Sequence, residues 1–269
     1  MSQIQIYYFS GSGNSLAVAR SLASELKAEL IPMASTFEQE KIRLNADVIG
    51  IVFPLYDFKA PPLVIDFIRK LEPIESAYLL AVCTYGIAVA HSLTELANTI
   101  QSCGGRLAGG FAISMPHNGI ASARMKTARR DRLLSRWSRR TGEICSYVND
   151  KRKGTIESSP PIWNYLRGDL LRTIPTLFKF ILHIIFKGID SLALTADQNC
   201  NGCGICERIC PVHNIHINAA RPTWGDRCVS CFACLHWCPE EAISLGGIDM
   251  HIEHYHHPDI QLADMLHSR

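Results

Sequence analysis

QIQIYYFSGSGNSLAVARSLASEL, residues 3–26, decides the fold. Gln3 to Phe9 is a short apolar run, too continuous for a half-exposed strand. A Ser/Gly cluster follows. From Asn14 onward Leu16, Ala17, Ala19, Leu22, Ala23 and Leu26 recur with a helical period. The stretch reads as buried strand, tight loop, helix. Working outward, Asp47 to Phe53 is a second buried strand stopped by Pro54, and Pro61-Pro62 opens a helix running through LVIDFIRKL. Ala77 to Cys83 is a third strand, followed by a helix from about His91 to Ser102 that ends at Gly104 and Gly105. Leu107 to Met115 and a stretch near Glu29 to Pro32 bring the expected strands to five. Alternating strands and helices, with strands this apolar, predict a doubly wound α/β unit whose parallel sheet is covered on both faces. Lys126 to about Val148 is expected as one long basic helix, with Leu133, Leu134, Trp137, Ile144, Tyr147 and Val148 on one side.

The 269 residues, 47% of them hydrophobic, exclude a disordered chain, a collagen or a small disulfide-stapled protein, and suggest two domains. Charge is uneven. The whole chain carries +2, yet Arg124 to Lys153 holds 11 Lys and Arg against three Asp and Glu. That tract is a candidate docking face or a solvated helix surface. The start, MSQIQIYYFSG, has neither a cationic lead nor a small-residue cleavage site, so no signal peptide is expected. The most apolar stretch, Thr173 to Ile189, is interrupted by Lys179, His183 and Lys187. It is expected as a helix packed between domains, with contact to a membrane surface as the second reading. Ser158 to Pro161 marks a break. The expected division is therefore 1–155, a connecting segment 156–196, a cysteine-rich domain 197–247 and a tail 248–269 containing several histidines.

Eight of the 11 cysteines lie between Cys200 and Cys238, in two segments offset by 28 residues. CNGCGICERICP carries Cys200, Cys203, Cys206 and Cys210, and CVSCFACLHWCP carries Cys228, Cys231, Cys234 and Cys238. In each, three thiols two residues apart can wrap one iron–sulfur cluster from a tight turn, while the fourth reaches the neighbouring cluster. One 4Fe–4S cluster would thus take Cys200, Cys203, Cys206 and Cys238, and the other Cys228, Cys231, Cys234 and Cys210. Tetrahedral zinc is the competing use of thiolates, but it needs paired CxxC units and gives no role to the third cysteine or to Cys-Pro. The repeat resembles the two-cluster bacterial-type ferredoxins over about Asp197 to Gly246, departing at His213-Asn214 after the first Cys-Pro. Cys83, Cys103 and Cys145 read as structural or incidental. Clustered thiols without secretion imply a reducing cytoplasm.

The loop Ser10-Gly11-Ser12-Gly13-Asn14-Ser15 has no lysine for a Walker A motif, and Leu16 stands where a dinucleotide fingerprint needs glycine. What remains is a hydroxyl-rich turn at a helix N-terminus. Its free N–H groups, hydroxyls and the Asn14 amide could hold a phosphate, and an ordinary capped turn is the plainer reading. The loop resembles the phosphate loop of flavodoxins, with serines at the threonine positions. That resemblance implies strand order 2-1-3-4-5, with FMN where the order reverses. Pro54, Leu55 and Tyr56, together with Thr84, Tyr85 and Gly86, then lie beside it. Tyr56 or Tyr85 could stack on the isoalloxazine, and the amides of Thr84 to Gly86 could reach its polar edge.

The chain as a whole resembles a family of ferredoxin–flavodoxin fusions. The resemblance covers the first domain, the cysteine repeat and His254 to Ile260. It implies FMN, two 4Fe–4S clusters and electron transfer between one- and two-electron steps, with redox proteins as partners and a monomer or homodimer. Two other readings remain at this level. One is an FMN-dependent oxidoreductase with a small organic substrate; the other is a redox sensor binding nucleic acid through Arg124 to Lys153. Against the sensor, the tract has one internal aromatic, Trp137, and no recognised DNA-binding motif.

Overall fold

The computed structural model describes residues 3–86, 88–116, 127–159, 194–245 and 254–266. The first unit runs β1 (Ile4–Tyr8), α1 (Asn14–Leu26), β2 (Glu29–Pro32), β3 (Ile42–Arg43), β4 (Val48–Pro54), α2 (Pro62–Lys70), β5 (Leu71–Glu72) and β6 (Tyr78–Tyr85). It continues through α3 (Ser92–Ser102), β7 (Leu107–Ser114), α4 (Thr127–Leu134), α5 (Trp137–Asn149) and β8 (Thr155–Ile156). The main sheet has the order β2-β1-β4-β6-β7-β8, with all pairs parallel. This is the flavodoxin-like doubly wound order, reversing beside β1 and extended by one edge strand.

Every residue of β4 is buried. Full burial of each large apolar side chain contributes about 1.5–3 kcal/mol, against roughly 1–2 kcal/mol of backbone entropy per residue, so this central run stabilises the sheet on balance. Gly50 lets β1 and β4 approach, since a Cβ there would stand 3.1 Å from Ile6 Cγ1. α1 packs beside α5 and α2 beside α3, as right-handed crossovers leaving a reversal point in two directions require.

Two expectations are corrected. The sheet has six strands rather than five, because Thr155 and Ile156, both exposed, pair with Gly109 and Gly110 at the edge. Two exposed residues carry no hydrophobic run. The long basic helix is two helices, broken at Ser135-Arg136. Ser135 Oγ donates to the Arg132 carbonyl at 3.0 Å, and Arg136 N–H reaches back only three residues, to Leu133 at 3.2 Å. Leu133 and Leu134 are therefore not core: α4 has no buried residue, whereas Ile144, Tyr147 and Val148 of α5 are buried.

Ser159 N–H donates to Ala90 O, which ties it to the first unit. The cysteine-rich part forms a second unit. There Leu194–Ala196 pairs antiparallel with Ile243–Leu245, and Ile215–Asn218 pairs with Arg221–Trp224. Short helices Ile205–Ile209 and Ala233–His236 lie between these ladders in sequence, and Leu262–Leu266 closes the tail. The expected helix at 173–189, most of the connecting segment, His251 and His267 lie outside the described residues. Among the described residues no helix is long and apolar enough to cross a membrane.

Candidate functional site

The loop from Ser10 to Ser15 joins β1 to α1 at the carboxyl edge of the sheet. Gly13 turns it with φ 91°, in the left-handed region that glycine enters without strain. As the N-cap of α1, Gly13 offers no side chain to the first helical N–H groups, and Asn14 and Ser15 are buried. A buried helix N-terminus without a side-chain cap is suited to an anion. Ser10 Oγ accepts the Gly13 N–H at 3.1 Å, and the Ser15 and Thr84 hydroxyls share a 2.8 Å hydrogen bond that ties α1 to β6. The Asn14 amide is occupied at both ends: Nδ2 donates to Pro116 O at 3.0 Å, and Oδ1 accepts from Tyr255 Oη at 2.8 Å.

Pro54 and Thr84 are in register, and Leu55 N–H donates to Thr84 O at 2.8 Å, so the two candidate loops leave the sheet side by side. Tyr56 and Lys59 exchange backbone hydrogen bonds around a tight turn. The Tyr56 ring meets Phe9 edge-on at 6.2 Å, and its buried Oη has no hydrogen-bond partner. Burial, followed by the nearby Cys231 thiol, pushes its pKa well up. Tyr85 and Gly86 are half-buried.

The cysteine repeat folds as two copies of one turn. Gly202 and Gly204 are left-handed in the first copy, and Ser230 and Phe232 take the same conformation 28 residues later. After each Cys-Pro the chain turns again: His213 N–H donates to Cys210 O at 3.2 Å, and Glu241 N–H to Cys238 O at 3.1 Å. The sequence departure at His213-Asn214 therefore leaves the backbone unchanged.

The eight thiols sort into two cavities. One is lined by Cys200, Cys203, Cys206 and Cys238, with Ile205, Ile217 and Ile243 among its walls. The other is lined by Cys210, Cys228, Cys231 and Cys234, with Val212, Ile215, Trp224 and Phe232. Sulfur receives N–H groups in the second: Asn214 N donates to Cys210 at 3.2 Å and Ser230 N to Cys228 at 3.4 Å. Trp224 Nε1 is buried without a hydrogen-bond partner, and burial raises the Cys234 pKa to about 12 against the lowering effect of the Trp224 indole. Burial likewise pushes Cys206 up to about 11. Among the described residues, no group of three or more His, Cys, Asp or Glu is arranged to hold a metal ion. Cys83 and Cys145 are buried in the first unit, away from these cavities, and burial pushes the Cys145 thiol up to about 12.

The second unit and the tail converge on the glycine loop. Trp237 Nε1 donates to Gly11 O at 3.0 Å. A Cβ on Gly11 would overlap the Cys231 carbonyl oxygen and stand 2.8 Å from Tyr56 Oη. From the tail, His257 N–H donates to Ser12 O at 2.9 Å, Ile260 packs against Gly13, and Arg20 pairs with Asp264 at 2.7 Å. His256 stacks on Trp237 with 4.5 Å between centroids. The sequence places Trp237 only in the apolar surround of the cysteines and gives Tyr255 and Trp224 no place in the site. Their one visible signal was aromatic side chains interleaved with the cysteines and the histidine-rich tail.

His257 supplies a pH dependence. It is fully buried, its Nδ1 accepts the Asp259 N–H, and burial lowers its pKa from the ordinary 6.5. The undocked tail therefore binds this proton more tightly than the docked one, and acid favours release. Docking is expected to be at full strength above about pH 6.5 and to weaken as pH falls below that value. Amide exchange at residues 254–266 followed against pH measures this, and His257→Gln should flatten the profile.

No family model matches the chain, and no curated protein matches it. Among solved structures, the chain is similar to a flavodoxin from the domain Archaea, at 15% identity and TM-score 0.36, covering 55% of this chain and 99% of that one. It is also similar to the two-electron reduced Megasphaera elsdenii flavodoxin, at 18% identity and TM-score 0.33, over 51% of this chain and 99% of that one. An FMN-dependent NADH-azoreductase from Bacillus anthracis matches at 13% identity and TM-score 0.38, over 55% of this chain and 99% of the other.

Proposed function

We propose that this chain is an electron-transfer protein that holds FMN at the glycine loop and two 4Fe–4S clusters in the cysteine cavities. The carrying observation is the sorting of eight thiols into two sets of four, with Cys210 and Cys238 each lining the cavity of the other motif. A zinc ion draws its sulfurs to about 2.3 Å from one point. Here each set of four thiols lines a cavity instead, and in one of them backbone N–H groups are directed at two of the sulfurs, which suits a polynuclear cluster. Flavin is supported by the buried, uncapped N-terminus of α1 at the point where the strand order reverses.

When bound, clusters supply one-electron steps and a flavin one- or two-electron steps. The residues do the rest. Ser10, Ser12 and the α1 N–H groups would bind the phosphate without a cationic side chain. Buried thiols such as Cys206 and Cys234 must lose their protons to ligate iron, so loading is favoured by higher pH. Apolar walls keep water from the sulfurs, while exposed Cys203 and Cys228 mark where redox partner proteins would approach. Thiols used this way fit a reducing, cytoplasmic setting. Protein purified without oxygen is expected to contain about eight iron, eight sulfide and one FMN per chain, with a cluster EPR signal on reduction. Zinc in place of iron, with no flavin, would overturn the reading.

A further inference from the structure

We propose that residues 254–266 form a strap over the glycine loop, one that opens to admit FMN and closes on its phosphate end. The proposal rests on the flavin part of the electron-transfer reading and adds the route by which the cofactor is loaded and kept.

From Gly11 to Ser15 the loop is buried, with Ser12 only 3% and Asn14 only 6% exposed. The tail covers Ser12, Gly13 and Asn14 in turn. Ser12 O accepts the His257 N–H at 2.9 Å. A Cβ on Gly13 would stand 3.1 Å from Ile260 Cβ and 3.3 Å from His257 Cβ. Asn14 Oδ1 accepts the Tyr255 hydroxyl at 2.8 Å. These residues are where α1 begins, and a phosphate monoester has to reach the N–H groups there. Tyr255, His257 and Ile260 are themselves buried, so the cover is packed against the loop. Entry from that side requires the tail to leave.

The tail is held as a detachable piece. None of its described residues joins a sheet, and its helix, Leu262–Leu266, has five residues. Its backbone is tied down through the His257 N–H and through the Tyr255 N–H, which donates to His236 Nδ1 at 3.3 Å. Its far end is pinned by Asp264, paired with Arg20 of α1 where both side chains are partly exposed. Segments held in this way open at lower free energy than the strands of a sheet, and lids are drawn from them. The cysteine unit, which covers Gly11, has ladders of its own and meets the loop through the Cys231 backbone and the Trp237 indole. The tail is therefore the part that moves. A strap that must open slows entry and exit alike. A fixed wall that merely touches the bound cofactor slows exit alone.

Protein freed of flavin is mixed with FMN, and uptake is followed by the quenching of flavin fluorescence. Release is followed by its recovery on dilution. Wild type is compared with the double variant Tyr255→Phe, Asp264→Asn, which loses one buried hydrogen bond and one ion pair of the strap but keeps the Gln261 N–H bond to residue 264. Uptake and release are both expected to be about tenfold faster in the variant. Faster release with unchanged uptake would make the tail a fixed wall and overturn the proposal, as would no change in either rate. Should the double variant fail to fold, Asp264→Asn alone is expected to speed both rates about twofold, and the same two outcomes would overturn the proposal. If neither wild type nor a folded variant quenches FMN, the flavin reading falls and takes the strap with it.

Discussion

Changing Cys210 and Cys234 to serine together should leave one cluster whole, whereas changing Cys210 and Cys238 should leave none. Cys210 and Cys234 line the same cavity although they come from different motifs, and Cys238 lines the other. The first pair therefore damages one site twice, and the second pair damages both sites once. Iron per chain is expected to fall by about half in the first double variant and close to zero in the second. EPR of the reduced first variant should show a single cluster without the coupling between neighbours. If each motif bound its own cluster, Cys210→Ser with Cys234→Ser would empty both sites and the prediction would fail. Serine preserves shape, so what is lost is sulfur ligation rather than packing.

Gly11→Val should separate the two units without emptying the cysteine cavities. A Cβ at this position overlaps backbone of Cys231, which cannot swing aside as a long side chain could. Forcing volume into such a contact costs about 1–3 kcal/mol. Separation also strands the Gly11 carbonyl, which now accepts the buried Trp237 indole N–H. Exchanging that hydrogen bond for water costs about a further 0.5–1.5 kcal/mol. Urea unfolding should register the loss, while iron content stays near that of the wild type. Trp237→Phe should lose the hydrogen-bond part alone. If Gly11→Val matched the wild type in stability, the packed junction described here would be wrong.

Much of the first unit was legible because its determinants are local. The continuous apolar run of β4 and the helical period of α1 each state a conformation within a dozen residues, and both elements lie where the sequence puts them. β8 was not legible, being two exposed residues whose pairing depends on Gly109 and Gly110 already lying at a sheet edge. The break at Ser135 was missed for another reason. Serine is not a strong breaker, and its effect comes from a side-chain bond to Arg132 O that competes with the helix ladder.

By itself the sequence determined the cysteine repeat and its spacing, the hydroxyl-rich glycine loop and the alternation of strands with helices. Each is carried by periodicity or by a short run, and chain connectivity alone brings those residues together. Tertiary structure alone decided that the cysteine unit sits on Gly11, that Tyr255 takes the Asn14 amide, and that the Tyr56 hydroxyl and the Cys231 carbonyl both crowd Gly11. Trp237 and Gly11 are 226 positions apart, and Tyr255 and Asn14 are 241. No local propensity encodes such pairs. They arise only when the folded chain packs segments far apart in sequence against each other.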